Sequence, residues 1–452
     1  MEKFKNSFQE LKAKWPMYKF KIQIMWTKFW LTAKMTIWWI IVAAMVGLAV
    51  GAFSSAFAYC LHKVTAFRTV NTWTLFLMPI TGLIIVFLYR TVGFEKDPGT
   101  NVLIVAIRKD KKAVPALLAP VIYIATLLTH FCGGSAGREG AALQMGGSIG
   151  STIGRIFHIK EKDRKVFVMS GMSAAFSAVF GTPMAAAIFP MEMVSVGVMH
   201  YAALVPCVVA SLVANVFSSN MGISAEAFHI QHFPVFGVVP GIKIMFLGVC
   251  CAVLSMLFCE ILHTISHLYS HFFKNPYVKV VAGGLIFIAL VKVFGLTDFM
   301  GAGTGLIEEA IDGKVVFYAF ILKIVMTGIT LGAGYKGGEI VPAFTTGATF
   351  GYVFGCLVGL SPSLCAAIGM ISVFCGVTNC PIASMLIGFE LFGFEGVRYL
   401  ILSVAISYML SGYNGLYAEQ IIMHSKFHTK YRYRFSEEDT FSTSDFGHRD
   451  KK

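Results

Sequence analysis

The stretch Gly133-Gly134-Ser135-Ala136-Gly137-Arg138-Glu139-Gly140 places an ionisable carboxylate between apolar runs long enough to cross a bilayer. Glycines bare the backbone there, and a charge in such surroundings is expensive to keep without a task. Glu139 follows the glycine break and precedes a run in which small residues recur at helical spacing, so it stands at an expected helix start. The free N–H groups of such a start carry partial positive charge and can hold an anion or the Glu139 carboxylate itself. A carboxylate that competes with an anion for one place, and leaves it when protonated, couples the movement of two ions. An ion pair with Arg138 is the plainer, structural account of the same residues.

Three further stretches offer matching chemistry. Gly337-Gly338-Glu339-Ile340-Val341-Pro342 reads as a second helix start, with proline tolerated in the first turn. Glu339 falls there at the position equivalent to Glu139, and Lys336 is near enough to neutralise it. Gly99-Thr100-Asn101 offers a hydroxyl and an amide, neutral donors that hold an anion without trapping it. A helix cap explains Thr100 equally well on local grounds. Tyr417 lies just past the last apolar run, where a tyrosine of the membrane-interface belt is the bland reading. Gly133 to Gly137 also fits the G-x-S-x-G nucleophile pattern, with His130 close by. That elbow needs a strand before the serine, and an apolar helical run precedes it here. An intramembrane serine hydrolase is therefore the rival class.

Positioning these residues takes a membrane body. Apolar residues make up 56% of the 452 positions and charged residues 13%, against about 25% charged in soluble proteins. The spacing predicts spans over 36–62, 71–93, 240–267 and 278–293 and further apolar runs over 114–132, 166–218, 315–331, 341–360, 363–391 and 397–410, with a break at 94–98 and a polar loop at 229–235. Several are short or cut by Gly and Pro, which predicts discontinuous helices. Charged turns are expected at 109–112 and 160–165. The net charge of +13 (37 Lys+Arg minus 24 Asp+Glu) is concentrated at the two ends, which places both termini in the cytosol of a multi-pass cell-membrane protein. No nucleic-acid module accompanies that charge, so no nucleic-acid partner is expected. The ten cysteines are scattered without metal or disulfide spacing, and no metal or organic cofactor is implied.

The chain also repeats itself. Gly137, Glu139 and Gly147 recur as Gly337, Glu339 and Gly347. Gly171, Phe176, Pro183 and Glu192 recur as Gly369, Phe374, Pro381 and Glu390. Two related membrane halves ordinarily hold a substrate between them on broken helix ends. The division expected is a basic amphipathic cytosolic segment over 1–35, membrane repeats over 36–268 and 269–424, and a basic cytosolic tail over 425–452.

With Gly137 to Gly140, Gln144, Gly147, Gly337 to Pro342 and Tyr417 in place, the sequence resembles the CLC family of anion channels and proton-coupled antiporters, over nearly the whole membrane body. The resemblance implies an all-α integral membrane fold of two inverted repeats, with many tilted and broken helices, assembled as a homodimer. It implies that Glu139 is the gating, proton-carrying glutamate, that the Ile340 backbone lines the anion pathway, and that Tyr417 is the central-site tyrosine. Thr100, Asn101, Arg138, Gly140, Ile340, Val341 and Tyr417 form the expected anion-binding set, with Glu139 and Glu339 transferring protons. Three departures stand out. Gly99-Thr100-Asn101-Val102-Leu103 replaces the usual serine segment, Glu339 stands where the family has an apolar residue, and Met193 stands where chloride antiporters carry an inner glutamate, beside Glu192. The first two are similar to the fluoride-exporting branch, CLC-F. The expected activity is thus fluoride/proton antiport across the lipid bilayer, with chloride/proton antiport or a passive chloride channel as the alternative.

Overall fold

Residues 2–94, 99–109, 114–223, 228, 230, 234–427 and 431–435 are described by the structure, a computed structural model. Positions 95–98 of the expected turn, 110–112 of the expected charged turn, most of the polar loop at 229–235 and the end of the basic tail lie outside the described residues.

The basic leader and the first expected span form one helix, α1 (Glu2–Val70). Its outer part is bare, with Trp15, Phe20, Trp26, Phe29 and Trp30 exposed, and buried apolar side chains begin at Val42. There follow α2 (Met78–Thr91), α3 (Asn101–Arg108), α4 (Leu118–Phe131), α5 (Glu139–Ile156), α6 (Glu161–Phe180), α7 (Pro183–Glu192) and α8 (Leu204–Asn220). The rest of the chain forms α9 (Val238–Phe272), α10 (Pro276–Phe294), α11 (Thr304–Asp312), α12 (Ala319–Ala333), α13 (Ile340–Val358), α14 (Pro362–Thr378), α15 (Pro381–Phe392) and α16 (Val397–Leu410). The charges at 160–165 are no turn: from Glu161 onward they make the first turn of α6, with acidic Glu161 and Asp163 where a helix start favours them.

Among the described residues, six segments, including 14–70 and 238–272, are long and apolar enough to cross a membrane. Most of the other helices fall short of the roughly 20 residues a span requires, and α6, at 20 residues, opens on five charged ones. Such broken ends survive only inside a protein body, and local chemistry makes the breaks. The apolar run 166–218 is cut where Gly181 turns left-handed at φ 77°, two residues before Pro183 opens α7. The run 363–391 is cut in the same way by Asn379, at φ 58°, two residues before Pro381 opens α15.

The two halves pack alike and lock together. A methyl group built on Gly146 would stand 2.2 Å from the carbonyl oxygen of Gly171, and one built on Gly347 would stand 2.3 Å from that of Gly369. The α5–α6 and α13–α14 pairs therefore touch backbone to backbone. At the α7–α15 contact each half caps the other. The Glu192 carboxylate accepts from Ile382 N at 3.1 Å and Ala383 N at 2.8 Å. Glu390 accepts from Met184 N at 2.8 Å and Ala185 N at 2.9 Å. Both carboxylates thus sit on a helix N-terminus of the opposite half. Five rings, Phe176, Phe180, Phe189, Phe344 and Phe374, join the halves in between.

One feature departs from an all-α architecture. β1 (Ser195–Val196) runs parallel to β2 (Ile421–His424), which pairs antiparallel with β3 (Tyr431–Phe435). This small sheet ties the chain after Tyr417 to the end of α7.

Candidate functional site

Gly137 and Gly338 exchange two backbone hydrogen bonds, of 2.7 and 2.8 Å, as an isolated antiparallel bridge. Two residues after each glycine a helix begins: α5 at Glu139, with Arg138 as its N-cap residue, and α13 at Ile340, with Glu339 as its N-cap residue. The two helix starts are thereby fixed side by side. A methyl group on Gly338 would stand 2.6 Å from Gly140 N, so this contact requires glycine.

The bridge corrects the register read from the sequence. Glu339 is not the counterpart of Glu139. It corresponds to Arg138, Ile340 corresponds to Glu139, and Gly347 corresponds to Gly146. The recurring letters matched at an interval of two hundred, but backbone pairing sets the register one residue further on.

Glu139 is fully buried. One carboxylate oxygen accepts from Arg138 N at 3.1 Å and the other from Arg138 Nε at 3.4 Å. The expected ion pair with Arg138 is therefore present, and the carboxylate also lies against the backbone at the start of its own helix. A methyl group on Gly140 would stand 3.7 Å from Thr100 Oγ1 and 3.8 Å from Glu339 Oε2. Thr100, Gly140 and Glu339 thus converge on one spot. The Thr100 hydroxyl makes no capping bond to α3, so capping does not explain it.

Ile340 and Val341 open α13, each 1% exposed. Tyr417 is 3% exposed, which excludes a belt position. The Asn101 side-chain oxygen is turned to a different task, accepting from Glu419 N at 3.2 Å.

The hydrolase pattern does not assemble. Ser135 follows helix α4 instead of a strand. Its hydroxyl pairs with Thr327 Oγ1 at 3.1 Å, and His130 Nε2 faces the carbonyl of Gly137 at 3.4 Å. No serine–histidine contact forms between them.

The voltage gated chloride channel family matches residues 81–412. The chain belongs to the CLC family. This CLC chain is 33% identical over 402 residues to the chloride/fluoride channel protein of Pseudomonas syringae pv. tomato, covering 86% of this chain and 88% of that protein. It is 25% identical over 289 residues to the H(+)/Cl(-) exchange transporter ClcA of Vibrio campbellii, covering 60% of each. A solved CLC-type fluoride/proton antiporter superposes with a TM-score of 0.82 at 29% identity, over 87% of this chain and 98% of that one. A slow cyanobacterial Cl-/H+ antiporter shares the fold, with a TM-score of 0.72 at 18% identity over 82% and 94% of the two chains.

In this CLC chain a set of polar residues that the sequence did not single out holds the segment that follows Tyr417. Arg108, at the far end of α3, donates to the Glu419 carbonyl at 3.1 Å and to its carboxylate at 2.5 Å. With Asn101, both ends of α3 grip the residue two places beyond Tyr417. Gln420 donates to Met193 O at 3.0 Å and Thr378 O at 2.9 Å, and accepts from Asn379 Nδ2 at 3.1 Å. Lys426 donates to Asn379 Oδ1 at 2.6 Å. The partners of Arg108 lie about three hundred positions away, and no local pattern announces them.

Proposed function

We propose that this chain is a proton-coupled halide antiporter that exports fluoride across the cell membrane, with Glu139 as gate and proton carrier. The observation that carries this reading is the placement of a buried carboxylate on the backbone of a helix start, beside a second helix start. An ionised Glu139 fills a place suited to an anion. Protonation removes its charge and weakens its hold on Arg138 N, so the side chain can leave as a halide enters. Arg138, Gly140, Ile340 and Val341 present backbone to the ion, Thr100 donates a hydroxyl, and Tyr417 closes the buried end. Asn101 serves by fixing the Tyr417 segment. Glu339, beside Thr100, passes protons or holds the gate once it swings inward.

Fluoride is favoured by Thr100 and Glu339 in place of the usual family residues, and by the fluoride named for two of the most similar relatives. Chloride/proton exchange is the alternative, named for the Vibrio relative. A passive channel is the third form of the same site. We further read 36–268 and 269–424 as the two repeats, with 1–35 as a cytosolic leader and 425–452 as a cytosolic tail, in a homodimer. The lysines of α1 support cytosolic termini.

The test is halide-resolved flux from reconstituted vesicles, read by ion-selective electrodes with pH recorded in parallel. Fluoride efflux well above chloride efflux, with countermoving protons, is expected. Equal efflux of the two halides ends the fluoride assignment. Flux without proton movement makes the protein a channel.

A further inference from the structure

Four helices, α2, α9, α10 and α12, border a cavity of about 540 Å³, a size typical of ligand pockets. None of Thr100, Glu139, Gly140, Glu339 and Tyr417 lines it. Three cations do: Arg90 in the last turn of α2, Lys279 in the first turn of α10, and Lys336 in the loop after α12. Among the described residues that line it, none is acidic. Lys336 Nζ stands 4.3 Å from the centroid of the buried Tyr89 ring. Lys279 Nζ donates to Ser270 Oγ at 3.4 Å and belongs to no ion pair among the described residues. The walls are pinned in place. The Tyr335 hydroxyl lies 2.9 Å from Met78 O and 3.1 Å from Val280 O, which fastens the loop carrying Lys336 to both α2 and α10.

Three like charges around one opening repel one another, and each loses hydration by standing there. An anion between them offsets both costs. A guanidinium fork with two ammonium groups suits the several oxygens of a phosphate, and the volume far exceeds what a bare halide fills. The surroundings say what carries that phosphate. Arg90 heads a stripe on α2 in which Ile80, Leu83 and Phe87 precede it at intervals of three and four, all exposed. Residues so spaced share one helix face. On α10, Val278 and Leu285 are exposed beside Lys279. The segments 72–91 and 276–294 are long and apolar enough to cross a membrane, so these bare faces meet lipid chains. Acyl chains gain contact along them, whereas a free phosphate leaves them unused.

We propose that this cavity holds the headgroup of an anionic phospholipid, with Arg90, Lys279 and Lys336 around its phosphate and its acyl chains along α2 and α10. Ser266 and Asn275, also in the lining, offer polar groups to headgroup hydroxyls. Only six residues, Thr72–Leu77, join α1's end region to α2 as a short helical turn, so α2 returns to the side on which α1 begins. With the α1 lysines cytosolic, the lipid belongs to the cytosolic leaflet, where anionic lipids meet basic pockets between helices. The choice of leaflet rests on that reading of the termini; the binding does not.

The experiment is native mass spectrometry of the purified full-length protein in mild detergent. The protein is titrated with phosphatidylglycerol, or with phosphatidylcholine of the same chains. Wild type is expected to hold phosphatidylglycerol several-fold more tightly. Arg90→Gln and Lys279→Gln are each expected to lower that affinity about fivefold and the double variant about twentyfold, with phosphatidylcholine unaffected. Arg90 is exposed and Lys279 half-buried; should the double variant fail to fold, Lys279→Gln decides by the same comparison. Equal retention of the two lipids by wild type overturns the site, and so does unchanged phosphatidylglycerol affinity in the deciding variant. Excess inorganic phosphate is expected to displace no more lipid than sodium chloride of equal ionic strength does. Greater displacement by phosphate overturns the lipid and makes the occupant a soluble phosphate.

Discussion

Replacing Glu192 by glutamine tests the interlocked glutamates at the α7–α15 contact. Both Glu192 oxygens accept a backbone N–H, from Ile382 and Ala383, an arrangement open only to the ionised carboxylate. Glutamine keeps one acceptor and sets its amide N–H against a second N–H. The loss is one charge-assisted hydrogen bond, about 1.5–3 kcal/mol, plus the attraction between the charge and the helix start, about 0.3–1 kcal/mol. The sum is about 2–4 kcal/mol. Spread over the unfolding entropy of a chain this long, it lowers the melting midpoint by about 2–4 °C. Glu390 makes the mirror-image bonds from a less buried position, so Glu390→Gln is expected to cost about half as much. Because both caps act on one contact, the double variant should deviate from additivity by about 0.5 kcal/mol or more. Thermal unfolding in detergent, followed by tryptophan fluorescence, reads all three. A Glu192→Gln midpoint indistinguishable from wild type, or a larger fall for Glu390→Gln, refutes the reasoning.

Gly338→Ala places a methyl group 2.6 Å from Gly140 N, which forces the bridged segments apart and strains both hydrogen bonds. A loss of about 2–4 kcal/mol is expected, with halide flux reduced more than tenfold; flux at wild-type rates in vesicles contradicts the bridge's role. Glu139→Gln is expected to abolish proton countertransport while halide still moves, read by pH and halide electrodes together, and intact coupling removes Glu139 as the carrier. Arg108→Ala frees one end of the grip on Glu419. Because that pair is partly exposed, its removal costs only about 0.5–1 kcal/mol, but halide affinity should fall several-fold as Tyr417 loosens. Unaltered affinity, measured by titration, shows that the grip does not position Tyr417.

Much of this was legible because local chemistry decided it. Glycines followed by an acid mark the α5 start, and an apolar run bounded by Val397 and Leu410 emerges as α16 with those same ends. The interruption of long apolar runs by Pro183 and Pro381 was readable as broken helices, though not where each half would dock. What failed was what only the fold supplies. The pairing of Glu139 with Glu339 rested on matching letters, and the Gly137–Gly338 bridge moved it by one residue. The bond that Asn101 Oδ1 accepts from Glu419 N had no signal in the sequence, because the two residues lie 318 positions apart. Lys323 sits in an apolar run with no neighbouring acid in sequence to explain it, and only the fold shows its bonds to Phe299 O and Gly301 O. The two-residue strand β1 carries no pattern at all.

The glycine bridge, the crossed carboxylates and the ring cluster together weld the molecule at its waist. Transporters built from two related halves commonly rock one half against the other. Here such a swing would tear backbone bonds and expose phenylalanines in the same stroke. The turnover cycle is therefore confined to rotamers moving inside a stiff frame, so freezing that frame with engineered cross-links across the two halves should leave exchange running.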